Sequence, residues 1–412
     1  MSKLYGLIGR KLGHSYSVPI HFALGNDAYK LFEMEPEEIG KFVSNPDLGG
    51  INVTVPYKLE VMQYLDEISP EALEIGAVNT VVRRNGKLYG YNTDEYGFRV
   101  MLDAAKISLS GKKVMILGNG GASKTAQYCA KLLGAREIVV IDVYNNNPEY
   151  LAKHIDTEIL INCTPVGMKP NYVQSAVELD QFPACEGVVD VIYNPLRTKL
   201  IMDAEVKGIK HIGGLLMLTA QAKRAHELFF NTTVSDDFAL KCAANLFKEN
   251  ENIVLVGMPG SGKSTVGKIL GEMSGRKVYE LDEMIAKAAG KTIPEIFASD
   301  GEEGFRKTES QIVFEASKNN GTVIITGGGA VTREENYYPL HQNSRIYEIK
   351  RDLDTLATDG RPLSKDLETL KRMYDIRKPM YEHFADVSFE NSSTAEECAK
   401  NIWEEFCEDF SY

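Results

Sequence analysis

The sequence predicts an α/β protein built in three units, and three observations carry that prediction. Short β-rich runs alternate with helical patterns over residues 1–105. A strand, a glycine-rich turn and an amphipathic helix follow one another in KKVMILGNGGASKTAQYCAKLLG, and the same order returns in IVLVGMPGSGKSTVGKIL, residues 253 to 270. At 412 residues the chain is also too long for one hydrophobic core, since domains run to about 100–200 residues.

Taken in order, KLYGLIG, GGINVTVP and NTVVRRNGKLYGY read as strands of the first unit, residues 1–105, with PEALEIG as a helix and Asn85-Gly86 as a hairpin turn. Residues 106–245 open with the β-α-β start of a Rossmann-like dinucleotide-binding fold, closed by the strand REIVVID. EILINCT and GVVDVIY supply further strands, and a long helix spans Leu215 to Phe230. A parallel crossover takes about a dozen residues, so the short path from Asp142 to Glu158 has room for one and no more. This sheet is therefore expected to be trimmed. A helix is expected within FNTTVSDDFALKCAANLFKENEN, with the linker near 246–251, and residues 252–412 form a third α/β unit around a central parallel sheet.

Composition narrows the function classes. The chain is 43% apolar and 25% charged, as in globular proteins, with no apolar run long enough to span a bilayer. Its net charge of −12 disfavours nucleic acid as the main partner, leaving small-molecule substrates. The start, MSKLYGLIGRKLGHS, lacks the order of a secretory signal and the six cysteines lie scattered, so a cytoplasmic protein without disulfides or zinc is expected. Nothing in the sequence sets an oligomeric state.

GMPGSGKS matches G-x-x-x-x-G-K-[ST] in full, after a β-branched strand and before a helix. Backbone N–H groups of Gly257, Gly260 and Gly262 then face phosphates, Lys263 reaches the outer ones, Ser264 can hold Mg2+, and Thr265 follows at the same helix start. This unit binds a nucleoside triphosphate. Asp282, Arg306, Glu309, three glycines at 327–329, Arg361 and Arg377 surround the loop in sequence, a set suited to a small hydroxylated carboxylate. In the order L-D-E-x-I, G-E-x-x-F-R-x-x-E, T-G-G-G, R-P-L and R-x-P-x-Y-x-x-x-A-D, residues 252–405 resemble shikimate kinase. The resemblance implies ATP and Mg2+, with Asp282 on the reacting hydroxyl and Arg361 on the transferring phosphate. It makes Arg306 and Arg377 a carboxylate clamp and Gly327, Gly328 and Gly329 a cradle. Two departures stand out: Glu280 replaces the first aspartate of the family's D-x-D, and the lid LATDGRPL is short.

In the front unit, GHSYSVPIH is expected to be extended, which would turn the hydroxyls of Ser15 and Ser17 to one side. Thr54 and Lys58 follow a strand in NVTVPYK, Asn79 lies in AVNT, and Asn92, Thr93 and Asp94 lie in YNTD. A lysine beside an aspartate handles protons: the carboxylate fixes an ammonium that can protonate a forming alkoxide. The order S-x-S, N-V-T-x-P-x-K, A-V-N-T, N-T-D resembles shikimate dehydrogenase, and the likeness continues through GNGGA, INCTPVGM, VVDVIYNP and LLMLTAQA to about residue 240. It implies that Lys58 and Asp94 are the catalytic pair, and that Ser15, Ser17, Thr54, Asn79, Tyr193 and Gln221 line the substrate pocket.

For the coenzyme, Gly118, Gly120, Gly121 and Ala122 form the turn, with Ser123 at the third position of G-x-G-x-x-G. Asp142 ends the next strand, where an acid accepts a ribose 2′-hydroxyl and repels a 2′-phosphate. The residues thus favour NAD(H) and the family implies NADP(H), with Lys124 and Arg136 as candidate compensating cations. Leu216 stands where the family usually has glycine, a change expected to crowd the nicotinamide. The combined expectation is a bifunctional enzyme that reduces 3-dehydroshikimate and phosphorylates the shikimate formed. The rivals are a kinase fused to an inactive binding module, an NAD-dependent quinate/shikimate dehydrogenase half, and a nucleotide switch without chemistry.

Overall fold

The structure, a computed structural model, describes residues 3–13, 15–142, 146–168, 172–355 and 367–408. It divides into two compact units, residues 1–245 and 246–411. The first contains two sheets. Strands β1 (Leu4–Gly9), β2 (Tyr29–Glu33), β3 (Leu48–Val53), β4 (Glu67–Ile68), β5 (Thr80–Arg84) and β6 (Lys87–Tyr91) pair in the order β2-β1-β3-β5-β6-β4. β1 runs parallel to β2 and β3, whereas β5 is antiparallel to β3 and β6. Asn85 and Gly86 both take positive φ, 50° and 84°, and so close the β5–β6 hairpin as the dipeptide predicts.

The second sheet is wholly parallel: β7 (Lys113–Leu117), β8 (Glu137–Ile141), β9 (Ile159–Asn162), β10 (Gly187–Asp190) and β11 (Lys210–Ile212), ordered β11-β10-β9-β7-β8. Between β8 and β9 stand only the one-turn helix Pro148–Leu151 and the 3-10 turn Ala152–His154. The crossover is as short as the sequence predicts, and β8 is left as a sheet edge. The strand order reverses beside β7, so its C-terminal end is the switch point where such sheets bind ligands.

The helix Leu215–Phe230 has its predicted bounds and packs on the helix Asp94–Ala104. Contact is close because Gly97 has no side chain: a Cβ there would fall 2.6 Å from the carbonyl oxygen of Met217. The two compact units divide at 245/246, beside the expected linker at 246–251. A helix, Asp237–Asn250, occupies most of it, with Leu246 buried, because the polar residues lie on the outer face of an amphipathic helix.

The second unit is a five-stranded parallel sheet of β12 (Asn252–Val256), β13 (Val278–Glu280), β14 (Val323–Ile325), β15 (Ser344–Lys350) and β16 (Val387–Glu390). Its order is β13-β14-β12-β15-β16. The central strand NIVLV is buried along its whole length, as a parallel strand covered on both faces must be. No helix among the described residues is long and apolar enough to cross a membrane.

Candidate active sites

In the first unit, Lys58 Nζ donates to Asp94 Oδ2 at 2.6 Å, with side-chain exposures of only 16% and 11%. Different elements bring the two together. Lys58 follows β3, and its carbonyl accepts from the N–H of Val78 (2.8 Å), while Asp94 is the first residue of its helix. Asn79 lies between them in sequence, at the mouth of β5, and its Oδ1 accepts from Thr93 N at 2.7 Å. Gln221 comes in on the helix Leu215–Phe230, 3.4 Å from the Thr93 hydroxyl. Tyr193 rests against Tyr16, ring centroids 5.5 Å apart, and burial raises its phenol pKa. Thr54 follows β3 directly, its N–H bonded to Ile8 O at 3.0 Å.

One expectation fails here. Ser15 and Ser17 do not lie in an extended segment: Ser17 is buried as the first residue of the helix Ser17–Ala23, and its N–H donates to Ser15 Oγ at 3.2 Å. The hydroxyl–amide turn competes successfully with extension, as serine before a helix commonly does. Both residues remain at the head of the same helix.

The coenzyme turn stands beside this pair. Gly118 takes φ 102° at the end of β7, against Cys163 and Thr164 at the end of β9. Gly120 caps the helix Gly121–Leu132, of which Ala122 is the second residue. A Cβ on Gly121 would stand 3.6 Å from Lys58 Cδ, so turn and lysine adjoin. Ser123 is buried, and its Oγ accepts from Gln127 Nε2 at 3.0 Å, which explains why a serine serves at the third glycine position. Asp142 directly follows β8, one residue beyond Ile141, whose carbonyl accepts from Gly118 N at 2.6 Å. Arg136 sits at the opposite end of that strand, where it bonds Gly111 O and Glu158. Leu216 is wholly buried among helix neighbours.

In the second unit a cavity of about 480 Å³ collects residues from the whole chain length of the domain. Gly257, Gly260 and Gly262 take φ of 142°, 90° and 99°, positive values that glycine adopts without strain, and Gly260 and Gly262 line the hollow. Lys263 lies along this loop, donating to Gly257 O (2.8 Å) and Met258 O (2.9 Å). Ser264 and Thr265 line the cavity with Asp282, and the Ser264 hydroxyl bonds the Glu280 carboxylate. Burial would raise the Glu280 pKa, but hydrogen bonds from Ser264 and Lys268 outweigh it and hold the acid below its usual range. Oxygen donors at 264 and 280 beside a phosphate loop suit a hard divalent cation.

The end of the cavity that holds Arg306 and Arg377, the expected carboxylate clamp, is tightly built. Arg306 Nη1 donates to Glu309 Oε2 at 2.6 Å, and Glu309 is fully buried, which raises its pKa. Arg377 Nη1 and Tyr381 OH both donate to Gly328 O, at 3.0 and 2.5 Å. The three glycines leave no space beside them: added Cβ atoms would meet Glu309 and Asp282 at Gly327, Pro259 at Gly328 and Arg306 at Gly329. Sequence reasoning gave no role to Tyr381 and Phe305, which its motifs contain, and did not pick out the cavity-lining Phe297 and Arg351. The aromatic pair Phe297–Phe305 was hidden because Gly301, at φ 70°, breaks one apparent helix into two across a kink. Arg361 lies outside the described residues, as does the whole of the short lid LATDGRPL.

These arrangements have known counterparts. Residues 7–81 match the shikimate dehydrogenase substrate binding domain. Over 247 residues the chain is 40% identical to "Shikimate dehydrogenase (NADP(+))" of Clostridium beijerinckii, covering 55% of this chain and 92% of that one. The chain belongs to the shikimate dehydrogenase family. A second relative of the same description, from Caldanaerobacter subterraneus, is 37% identical over 58% of this chain and 95% of its own. Among solved structures, the chorismate mutase/shikimate 5-dehydrogenase fusion protein from Clostridium acetobutylicum superposes with a TM-score of 0.56 at 33% identity, covering 60% of this chain and 97% of that one. Shikimate dehydrogenase 1 from Peptoclostridium difficile gives 0.53 at 38%, covering 59% and 97%. Behind this dehydrogenase, residues 259–407 match the shikimate kinase family. The loop, arginines and glycine cradle of the second unit lie within that match.

Proposed function

We propose that the first unit reduces 3-dehydroshikimate to shikimate and that the second transfers a phosphoryl group from ATP to the shikimate 3-hydroxyl. The observation that carries this reading is the buried Lys58–Asp94 pair against Gly121 of the coenzyme turn. A pure binding module has no use for a shielded proton-transfer pair. The bound nicotinamide supplies hydride to the ketone carbon. Lys58 Nζ gives its proton to the ketone oxygen as the new C–H bond forms, and Asp94 keeps the ammonium aimed and charged. Ser15, Ser17, Thr54, Asn79, Tyr193 and Gln221 bind the ring substituents.

In the kinase unit, Arg306 and Arg377 hold the carboxylate and the glycines 327–329 approach the ring closely. Asp282 orients the attacking hydroxyl, and Lys263 and Arg361 neutralise the transferring phosphoryl group. Ser264 and Glu280 would hold Mg2+, which when bound screens the phosphate charge. The free cysteines suit a reducing, cytoplasmic setting.

The relatives are named for NADP(+), but features of this chain support NAD(H) as the coenzyme. Asp142 directly follows β8, at the strand end where dinucleotide-binding folds meet the ribose, and Arg136 is engaged at the far end of the same strand. Purified full-length protein supplied with 3-dehydroshikimate and either NADH or NADPH, followed at 340 nm (about the reduced-nicotinamide band) and then with ATP, tests both halves. Absence of turnover with both coenzymes, beside working shikimate phosphorylation, would leave the binding-module rival standing.

A further inference from the structure

A chain of buried hydrogen bonds runs behind the reductase site. Tyr29 OH donates to Asn52 Oδ1 at 2.7 Å. Asn52 Nδ2 faces Asn79 O (3.4 Å) and Thr80 Oγ1 (3.1 Å), and the backbone carbonyl, an obligate acceptor, fixes which end of the amide points there. Thr80 Oγ1 must therefore accept from Asn52, and its one proton is left for Asn79 Oδ1 at 3.0 Å or Thr93 Oγ1 at 3.1 Å. Thr93 Oγ1 in turn lies 3.2 Å from Asn79 Oδ1 and 3.4 Å from Gln221 Oε1. Tyr29, Asn52, Asn79, Thr80 and Thr93 are all at most 5% exposed, with Thr80 at 0%.

At the substrate side the orientations of two amides are fixed, whichever way the threonine hydroxyls turn. Thr93 N is an obligate donor to Asn79 Oδ1, so the Asn79 amide must turn its NH2 end the other way. Gln221 Nε2 is likewise placed by its bond to Leu218 O at 2.9 Å. Thr80 is the junction at which the buried amide of Asn52 meets both Asn79 and the residue preceding Asp94. We propose that Thr80 is a positioning residue for the reductase: its hydroxyl orients the Asn79 amide toward the substrate and fixes the first turn of the helix that carries Asp94. The assignment rests on the dehydrogenase reading of this unit.

The test is Thr80→Val, which keeps shape and removes the hydroxyl, with Thr80→Ser as the rescue. Leaving buried donors unmet is expected to lower kcat/KM for 3-dehydroshikimate by roughly tenfold to a hundredfold. The loss should appear mainly as a raised KM for that substrate, with the coenzyme KM unmoved and Thr80→Ser restoring most of it. A folded Thr80→Val protein whose 3-dehydroshikimate KM stays within about twofold overturns the proposal. So does a loss that Thr80→Ser fails to restore, because packing would then be the cause. If Thr80→Val does not fold, Thr80→Cys, similar in size with a weak donor, carries the same comparison. Wild-type protein without reductase turnover would remove the dehydrogenase reading itself, whereas normal wild-type turnover with an unaffected Thr80→Val removes only this proposal.

Discussion

Gly329 and the guanidinium of Arg306 are in such close contact that a Cβ on the glycine would fall 2.2 to 2.3 Å from three guanidinium atoms. Arg306 is pinned on its other side by Glu309, so it has nowhere to retreat. Gly329→Ala is expected to raise the shikimate KM of the kinase by about tenfold or more, the scale of a lost charge-assisted hydrogen bond. Reductase rates measured on the same preparation should not change.

Replacing Lys58 deletes the proposed proton donor while sparing the glycine turn at 118–121. Lys58→Ala is expected to lower reductase kcat by about 10²–10⁴, the usual worth of a general acid. Steady-state kinetics with both substrates varied is the check. Retained activity would show that another group, or water, supplies the proton.

Glu309 gives the kinase a pH dependence of definite sign. Burial raises its pKa, so on acidification it takes up a proton at higher pH than an ordinary glutamate and releases its charge from Arg306. Kinase kcat/KM should therefore fall on the acid side. Glu309→Gln should remove that limb and lower the plateau by about tenfold, as expected for losing a buried charged partner.

Coenzyme choice is tested at one residue. Wild-type protein should show a higher kcat/KM with NADH than with NADPH, and Asp142→Asn should narrow that ratio by about tenfold, because one repulsive charge near a 2′-phosphate is removed. A wild-type preference for NADPH would overturn the role given to Asp142.

His21 predicts how the first unit responds to acid. It is buried, stacked on Tyr29 at 3.8 Å, and held to a pKa of about 3 by burial and by His226. The unfolded imidazole titrates near 6.5. Its contribution to stability is thus complete above that pH and is lost as pH falls toward 3. The unfolding midpoint of this unit should drop by a few degrees between about pH 7 and 5, and His21→Gln should flatten the drop.

Elements with strong local signals were legible in the sequence. The Asn85-Gly86 hairpin, the helix Leu215–Phe230 and the short crossover after Asp142 each follow from turn chemistry, periodicity or chain length. The Lys58–Asp94 pair was legible through the motif order N-V-T-x-P-x-K and N-T-D, whose resemblance to shikimate dehydrogenase implies it. The buried network was not. Asn52 is a polar residue within the wholly buried strand LGGINV, a signal that something inside must answer it, but its partners come from β2 and β5 and only the sheet order joins them. The serine pair misled for the opposite reason: the competing hydroxyl–amide turn spans only two residues, Ser15 to Ser17, and extended geometry was assumed over it. The division between the units falls at 245/246, beside the expected linker, but the helix Asp237–Asn250 runs across it, because polar composition marks a solvent face as readily as a loop.

The strand order of the second unit bears on how the protein is made. Everything that the first two sheets need has been synthesised by Asn245. β12, by contrast, emerges at Asn252–Val256 as five residues destined for complete burial, yet its neighbours are Val323–Ile325 and Ser344–Lys350. On the ribosome this apolar strand must wait for both while the dehydrogenase half is already complete. At about 5–20 residues per second that interval lasts several seconds. The central strand of the kinase therefore stays without its sheet neighbours longer than any strand of the first unit does.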